Sequence, residues 1–542
     1  MGGYKAGLLS RTNTYGLSGR ALRVAVTATA VTGFSLFGYD QGLMSGIITS
    51  EQFAGEFKAV GGTSQHSTVI QGAVTSCYEI GCFFGALFAL IRGNRIGRRP
   101  LVIAGAIIII IGTVISVAAF GPHWGLGQFV VGRVITGIGN GLNTATIPVW
   151  QSEMSRAENR GFLVNLEGSI IAVGTMVAYW IDFGLSYAKS SVSWRFPVAF
   201  QIFFAIFLLA GILGLPESPR WLLTHQRGEE ARHILGALQN HGTSEEDIET
   251  EARVILEAVS RTGNQAAFTA VFQKGRTANF QRMLLGASTQ FFQQFAGCNA
   301  AIYYSTVLFE QMGQTHRMAL IMGGVFSIVY ALFTIPSFFL IEKIGRRKLF
   351  LIGAAGEGFS FLITMACLAS AERGTDKYIR NSKGAAVGLF LFICFFAFTI
   401  LQLPWVYPPE INPNRTRTAA TAISTCTNWI VNFAVVMFTP VFVNRSDWGC
   451  YLFFALMNFI WIPLIYFYYP ETAGRSLEEM DIIFAKAFVE KKLPFRVAAE
   501  MPSLSAAEVE REAEATGLYE ASPGASDSEK PAAERSSDDD EV

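Results

Sequence analysis

The sequence predicts an all-α membrane protein, with twelve transmembrane helices arranged as two six-helix halves. Three observations carry that reading. Only 15% of the 542 residues are charged and 51% are hydrophobic, whereas soluble domains are roughly 25% charged. The apolar residues gather into about twelve runs long enough to span a bilayer, which takes about 20 residues at about 1.5 Å each. Three charged motifs also recur at nearly one offset. Arg95-Ile-Gly-Arg-Arg99 returns 248 residues on as Lys343-Ile-Gly-Arg-Arg347. Glu153…Arg160 returns 257 on as Glu410…Arg417, and Pro216-Glu-Ser returns 254 on as Pro470-Glu-Thr. Each pair falls in loops on one side, so the halves share an orientation, as in carriers that rock two bundles about a central site.

In chain order, residues 1–21 form an N-terminal segment. The first six-helix bundle covers 22–215, with spans near 22–48, 68–91, 101–120, 126–150, 162–186 and 195–215. A polar interval at 216–282 follows and reads as a helical linker. Within it Ile248, Ala252, Ile255 and Val259 recur at helical spacing after a capping Thr243-Ser244. The second bundle covers 283–469, with spans near 283–310, 318–341, 348–370, 386–408, 419–443 and 449–469. Residues 470–542 form an acidic tail. Its last 42 residues hold twelve acids and three bases, a composition that predicts disorder.

Arginine and lysine crowd the loops after spans two, eight and ten. That bias predicts a multi-pass protein with both termini cytoplasmic. The loop at 371–385 is an exception, with Arg373, Lys377, Arg380 and Lys383 on the other side. Acids and bases balance at 42 each, which argues against a nucleic-acid partner. The seven cysteines suit neither a disulfide framework nor a metal site. No nucleotide loop or metal cluster appears, so no catalytic residues, metal or cofactor are expected; a monomer is expected as well.

Charge inside the spans is the strongest functional signal. Asp40 lies in span one among Gly38, Gly42 and Gly46, whose spacing permits close helix packing. A carboxylate at that depth costs at least about 2.5 kcal/mol, so a partner or a function is expected. Asp40 stands about 12 Å from the outer end of its span and Arg133 about 10 Å from the outer end of span four. The two can form a salt bridge, and protonating Asp40 would release Arg133. Glu79, Glu167 and Glu357 are also buried by sequence. Glu167 is expected beside the cavity, and Glu79 and Glu357 in helix packing. Span seven adds Gln290, Gln293, Gln294 and Asn299. Gln290, Gln293 and Gln294 share a helical face with Gly297. Asn299 joins them only if the helix is distorted near Gly297.

Several stretches carry a family resemblance. GRR follows spans two and eight. PVWQSE stands at 148–153, PESPRWL at 216–222, QQFAGCNAAIYYS at 293–305 and PETAGRSLEE at 470–479. Together they resemble the sugar porters of the major facilitator superfamily over about residues 20–490. GYDQGLMSG at 38–46 and LPWVYPPEI at 403–411 are similar, more narrowly, to fungal sugar-transporter-like glycerol/proton symporters. The resemblance implies a plasma-membrane carrier in the lipid bilayer. It would import a small neutral polyol, glycerol, with protons; a hexose or pentose carrier, coupled or passive, is the alternative.

The resemblance makes Asp40 and Arg133 the proton-responsive pair. It makes Gln293, Gln294, Asn299, Trp405 and Asn428 substrate ligands. Two cytoplasmic charge sets would form the salt bridges of an alternating-access switch. One is Arg98, Arg99, Glu153, Arg160 and Glu217; its repeat is Arg346, Arg347, Glu410, Arg417 and Glu471. Departures from the family are informative. Gly168 stands where a hexose-binding Gln is usual, Tyr330 where an Asn is, and Ala397 where a polar residue is. Ile400-Leu401-Gln402-Leu403 replaces a Gly-Pro-rich stretch. Tyr330 adds bulk, which favours a small polyol, while Gly168 alone would enlarge the pocket. Asn94 and Glu342 stand where the family usually has Asp before each GRR.

Overall fold

The computed structural model describes residues 10–516, apart from 63, 122–123, 156–159, 240–243, 261–266, 371–375, 414, 447, 503 and 505. All regular structure among the described residues is helical. Spans one to six are Gly19–Ile47, Gln65–Ile96, Arg98–Val117, Gly125–Glu153, Arg160–Leu185 and Val192–Leu213. Spans nine, eleven and twelve are Arg346–Ala369, Arg417–Arg445 and Gly449–Tyr468. The remaining three are jointed. Span seven runs as Asn279–Phe295, Cys298–Tyr303 and Ser305–Gln311; span eight as His316–Phe333 and Ser337–Ile344; span ten as Asp376–Phe398 and Leu403–Ile411. Ten helices among the described residues are long and apolar enough to cross a membrane. The other two spans are the fourth, diluted by glycines and amides, and the broken seventh.

Two boundaries differ from expectation. Span ten begins at Asp376 rather than near 386. The stretch holding Lys377, Arg380 and Lys383 therefore forms the first turns of that helix, not a loop; Arg373 lies outside the described residues. The acidic region after 500, expected to be disordered, carries a helix at Ala506–Ala515. Lys486 pairs with its Glu512 at 3.4 Å, which gives an otherwise polar helix a docking partner. Residues 517–542 lie outside the described residues.

Small residues set the packing. A Cβ on Gly38 would lie 2.0 Å from the Ile171 carbonyl oxygen, and one on Gly42 2.7 Å from that of Thr175. One on Gly46 would lie 2.6 Å from Asp182. The glycine stripe thus seats span one against span five. The halves meet through span one on span seven, where Ser45 Oγ lies 3.2 Å from Ser305 Oγ and 3.1 Å from Thr306 Oγ1. Span two meets span eleven, with Gly72 against the Met437 backbone, and span five meets span eight, with Tyr179 against Gly323. Around the outside stand exposed apolar side chains such as Phe84, Phe88, Ile107, Phe203 and Phe207, the surface a bilayer covers.

The linker is helical as expected, at Pro219–Thr224, Gly228–Leu238 and Glu245–Ser260. Ser244 caps the last of these, its Oγ accepting from Asp247 N at 3.1 Å. Ala252 is buried, and Ile248 and Ile255 pack on the same cluster; the side chain of Val259 lies outside the described residues. Arg11 stacks on Trp221 at 4.5 Å, and Arg282 of span seven pairs with Asp481 at 2.7 Å. The N-terminal segment and the tail helices therefore dock on the end of the bundle that carries the repeated charged motifs.

Candidate functional site

A cavity of about 20 Å³ lies between the halves at mid-bundle. Its walls come from span one (Phe37, Gln41), span five (Ile171), span seven (Gln293, Gln294, Cys298, Asn299, Ile302), span eight (Tyr330), span ten (Phe396, Leu401, Trp405) and span eleven (Asn428). Among the described residues, no charged one lines it. At this volume the site holds about one water molecule, so the conformation is closed around it.

The break in span seven builds the polar wall. Gly297 takes φ +94°, a backbone that side chains resist. A Cβ there would also lie 2.9 Å from Phe454 and 3.0 Å from Phe361. The first helix ends at Phe295 and a new one starts at Cys298, which turns Asn299 into the cavity. Asn299 Nδ2 donates to Gln294 Oε1 at 2.8 Å, and Gln294 Nε2 donates to Asn428 Oδ1 at 2.6 Å. Gln293 Nε2 donates to the Ile400 carbonyl at 2.9 Å. These amides keep acceptor or donor capacity for a ligand.

Gln290 departs from its expected place. Its Nε2 donates to the Pro404 carbonyl at 2.8 Å, and it does not line the cavity. It is one turn below Gln294, where span ten covers the face. Glu167 is buried too but lies off the lining. Nor does Gly168 enlarge the site. A Cβ there would sit 2.9 Å from Gln402 Cγ, so Gln402 fills the room, with both amide atoms buried and unpartnered.

Asp40 and Arg133 meet as counted along their spans. Arg133 Nη1 donates to Asp40 Oδ1, with side chains only 1% and 2% exposed. The guanidinium also stacks over Tyr78 at 4.6 Å. Above this level the halves close through Tyr179, whose hydroxyl lies 2.6 Å from Ser305 Oγ. Beyond that closure a vestibule of about 210 Å³ is lined by residues including Asp182, Ser193 and His316.

At the opposite end the two charged rings have parallel geometry. Arg98 bridges Glu153 through Nε at 3.1 Å and Nη2 at 3.2 Å. Glu217 Oε1 accepts from the Arg98, Arg99 and Ser218 backbone at 3.0, 3.3 and 3.0 Å. Burial pushes the Glu217 carboxyl above its ordinary range, against the pull of these N–H groups and of Arg98. In the repeat, Arg346 bridges Glu410 at 2.8 Å and also Glu342 at 3.0 Å. Glu471 accepts from the Arg346 and Arg347 backbone at 2.7 and 3.2 Å. Arg99 donates to the Leu213 carbonyl at 2.6 Å and Arg347 to that of Tyr466 at 2.7 Å. Arg417 differs from expectation: its Nε and Nη2 have no hydrogen-bond partner, because Thr472 and Arg346 take the Glu410 oxygens. The Arg160 side chain lies outside the described residues. Each described ring fastens helices within its own half.

The family description "Sugar (and other) transporter" matches residues 25–484. The chain belongs to that family. This transporter is 59% identical over 522 residues to "Sugar transporter STL1" of Saccharomyces cerevisiae, covering 95% of this chain and 91% of that one. It is 55% identical to "Major facilitator superfamily transporter mfsA" of Aspergillus fumigatus, covering 94% of each. Its fold matches that of XylE from E. coli, a proton:xylose symporter, with a TM-score of 0.72 at 24% identity, covering 85% of this chain and 99% of that one. The twelve-helix fold of the superfamily is therefore that of this transporter.

Eight of the nine residues expected at the membrane site of the transporter therefore gather around its centre in two clusters. Gln293, Gln294, Asn299, Tyr330, Trp405 and Asn428 wall the cavity, and Asp40 touches Arg133 beside it; only Gln290 turns away. Gln41 was not anticipated at the cavity. It is an amide in an apolar span, next to Asp40, and that placement was the available signal.

Proposed function

We propose that the protein carries glycerol into the cell together with protons, by alternating access across the plasma membrane with both termini cytoplasmic. One observation carries the substrate reading: the central cavity is small, uncharged, walled by amides on one side and by Tyr330, Phe396 and Trp405 on the other. Amides match hydroxyl groups, and aromatic faces match a carbon chain. A three-carbon polyol requires less opening of this cavity than a hexose. The buried Asp40–Arg133 pair supports proton coupling, since a lone ion pair in a dry bundle is expensive unless it works. A proton crossing about 100 mV and one pH unit supplies about 3.7 kcal/mol, enough to concentrate a neutral solute about 500-fold. The protein acts as a carrier and catalyses no covalent change.

The test is labelled glycerol uptake in cells lacking their own carriers, at external pH 5 and 7, with and without a protonophore. Accumulation that the protonophore collapses and excess glucose or xylose leaves intact is the expected result. Uptake that only equilibrates, or that hexose displaces, overturns it. A second reading, monosaccharide transport, draws on the relative named "High-affinity glucose transporter 1" of Candida albicans, 31% identical over 466 residues. The same competitors decide between them.

A further inference from the structure

We propose that Glu79 is the second carboxyl of the proton site, so that Asp40 and Glu79 hold one coupling proton between them around a single arginine. This rests on the proton-coupled reading above. Glu79 was expected to serve helix packing with its carboxyl hydrogen-bonded or protonated. Its hydrogen bond crosses between the halves: Tyr303 Oη, on span seven, donates to Glu79 Oε1 at 2.5 Å. Glu79 is fully buried and its Oε2 has no hydrogen-bond partner.

Arg133 touches one acid and has a second within electrostatic reach. One nitrogen holds Asp40, while Nε and Nη2 have no partner. Glu79 lies within electrostatic reach of both Arg133 and Asp40. The other groups facing Glu79 are Tyr303 of span seven and Asn432 of span eleven, whose amide completes no hydrogen bond. Tyr78 and Cys82 of its own span and Tyr304 of span seven also feel its charge. None of these supplies a second cation.

The charge count then has a consequence. With both acids ionised, two carboxylates share one guanidinium, and the group bears one net negative charge inside the membrane. Like charges that share a dry site do not both stay ionised. Binding one proton brings the group to neutrality, and the proton belongs to the pair rather than to either acid. Arg133 then remains with whichever acid is ionised. Because Tyr303 ends the six-residue helix Cys298–Tyr303 that also carries Asn299, proton and substrate act on one short element between two breaks. That is a direct route from protonation to the contact between halves.

Two variants of the full-length transporter make opposite predictions for the external pH at half-maximal glycerol uptake. Glu79→Gln keeps an acceptor for Tyr303 but removes one charge. It should lower the proton affinity of the site at least tenfold, moving the midpoint about one pH unit acid or more. Tyr303→Phe removes a donor to the ionised carboxylate and should move the midpoint alkaline. A purely structural Glu79 moves neither. An unchanged midpoint in Glu79→Gln, with uptake still protonophore-sensitive, overturns the proposal. So does an acid or absent shift in Tyr303→Phe, which decides alone if Glu79→Gln fails to reach the cell surface. If wild-type uptake is itself flat with pH and indifferent to protonophore, the symport reading has failed first, and the two failures are distinguishable.

Discussion

Two sets of arginine–carboxylate pairs use the same chemistry in different surroundings. Beside the cavity, Arg133 makes one contact to Asp40 and leaves two nitrogens unpartnered. At the charged end, Arg98 and Arg346 grip Glu153 and Glu410 through two nitrogens each, and backbone N–H groups hold Glu217 and Glu471. Saturated pairs at helix ends hold one arrangement; a half-used arginine in a dry core has an alternative open to it. On the proposed reading, the difference teaches that the leftover donors of an arginine already paired with an acid, more than the salt bridge itself, mark the pair that can rearrange.

The largest effect should come from stripping the central arginine of both acids. Asp40→Asn with Glu79→Gln leaves a buried charge without a partner, which costs about 3–5 kcal/mol. Surface abundance and thermal stability in detergent should both collapse. Asp40→Asn alone keeps Glu79 as counter-charge. It should reach the membrane and still exchange labelled glycerol, while accumulation falls from as much as about 500-fold to equilibrium. If that variant still concentrates glycerol, the central pair is no different in kind from the outer ones.

Next comes the amide wall. Gln294→Ala removes the group that joins Asn299 to Asn428 and leaves both unsatisfied. At about 1–3 kcal/mol per lost partner, the KM for glycerol should rise about tenfold with the pH midpoint unmoved. A shifted midpoint would mean that wall and proton site are one unit. Glu410→Gln should have the smallest effect. Glu410 is partly exposed, at 25%, and Arg346 keeps Glu342, so the loss is about 1 kcal/mol, read as a small fall in Tm. A large change in the ratio of inward- to outward-facing forms would instead promote the charged rings to a switch.

How much was legible depended on whether the signal was local or periodic. Span positions followed from runs of apolar residues, and the equal depth of Asp40 and Arg133 from counting along two helices. The glycine stripe at 38, 42 and 46 announced close packing without naming span five as its partner. Gln290 looked like a ligand because it shares a helical face with Gln293 and Gln294; what turned it away was the Pro404 carbonyl, a neighbour more than 100 residues off. Arg417 was placed by its repeat, and lost Glu410 to Thr472 and Arg346. Gly168 promised space that Gln402 occupies.

The sequence by itself determined the twelve spans, the two like-oriented halves, the family and the identity of the charged and amide residues that a membrane would not tolerate idle. Composition and period suffice for that, because lipid imposes one rule on every helix: apolar length outside, hydrogen bonds satisfied within. Only the tertiary structure decided which polar groups meet. Asn299 enters the cavity because Gly297 breaks span seven, Gln290 leaves it, and Glu79 joins Tyr303 across the two halves. Such contacts depend on rotation and register between helices, which the packing of all twelve sets together and no single segment encodes.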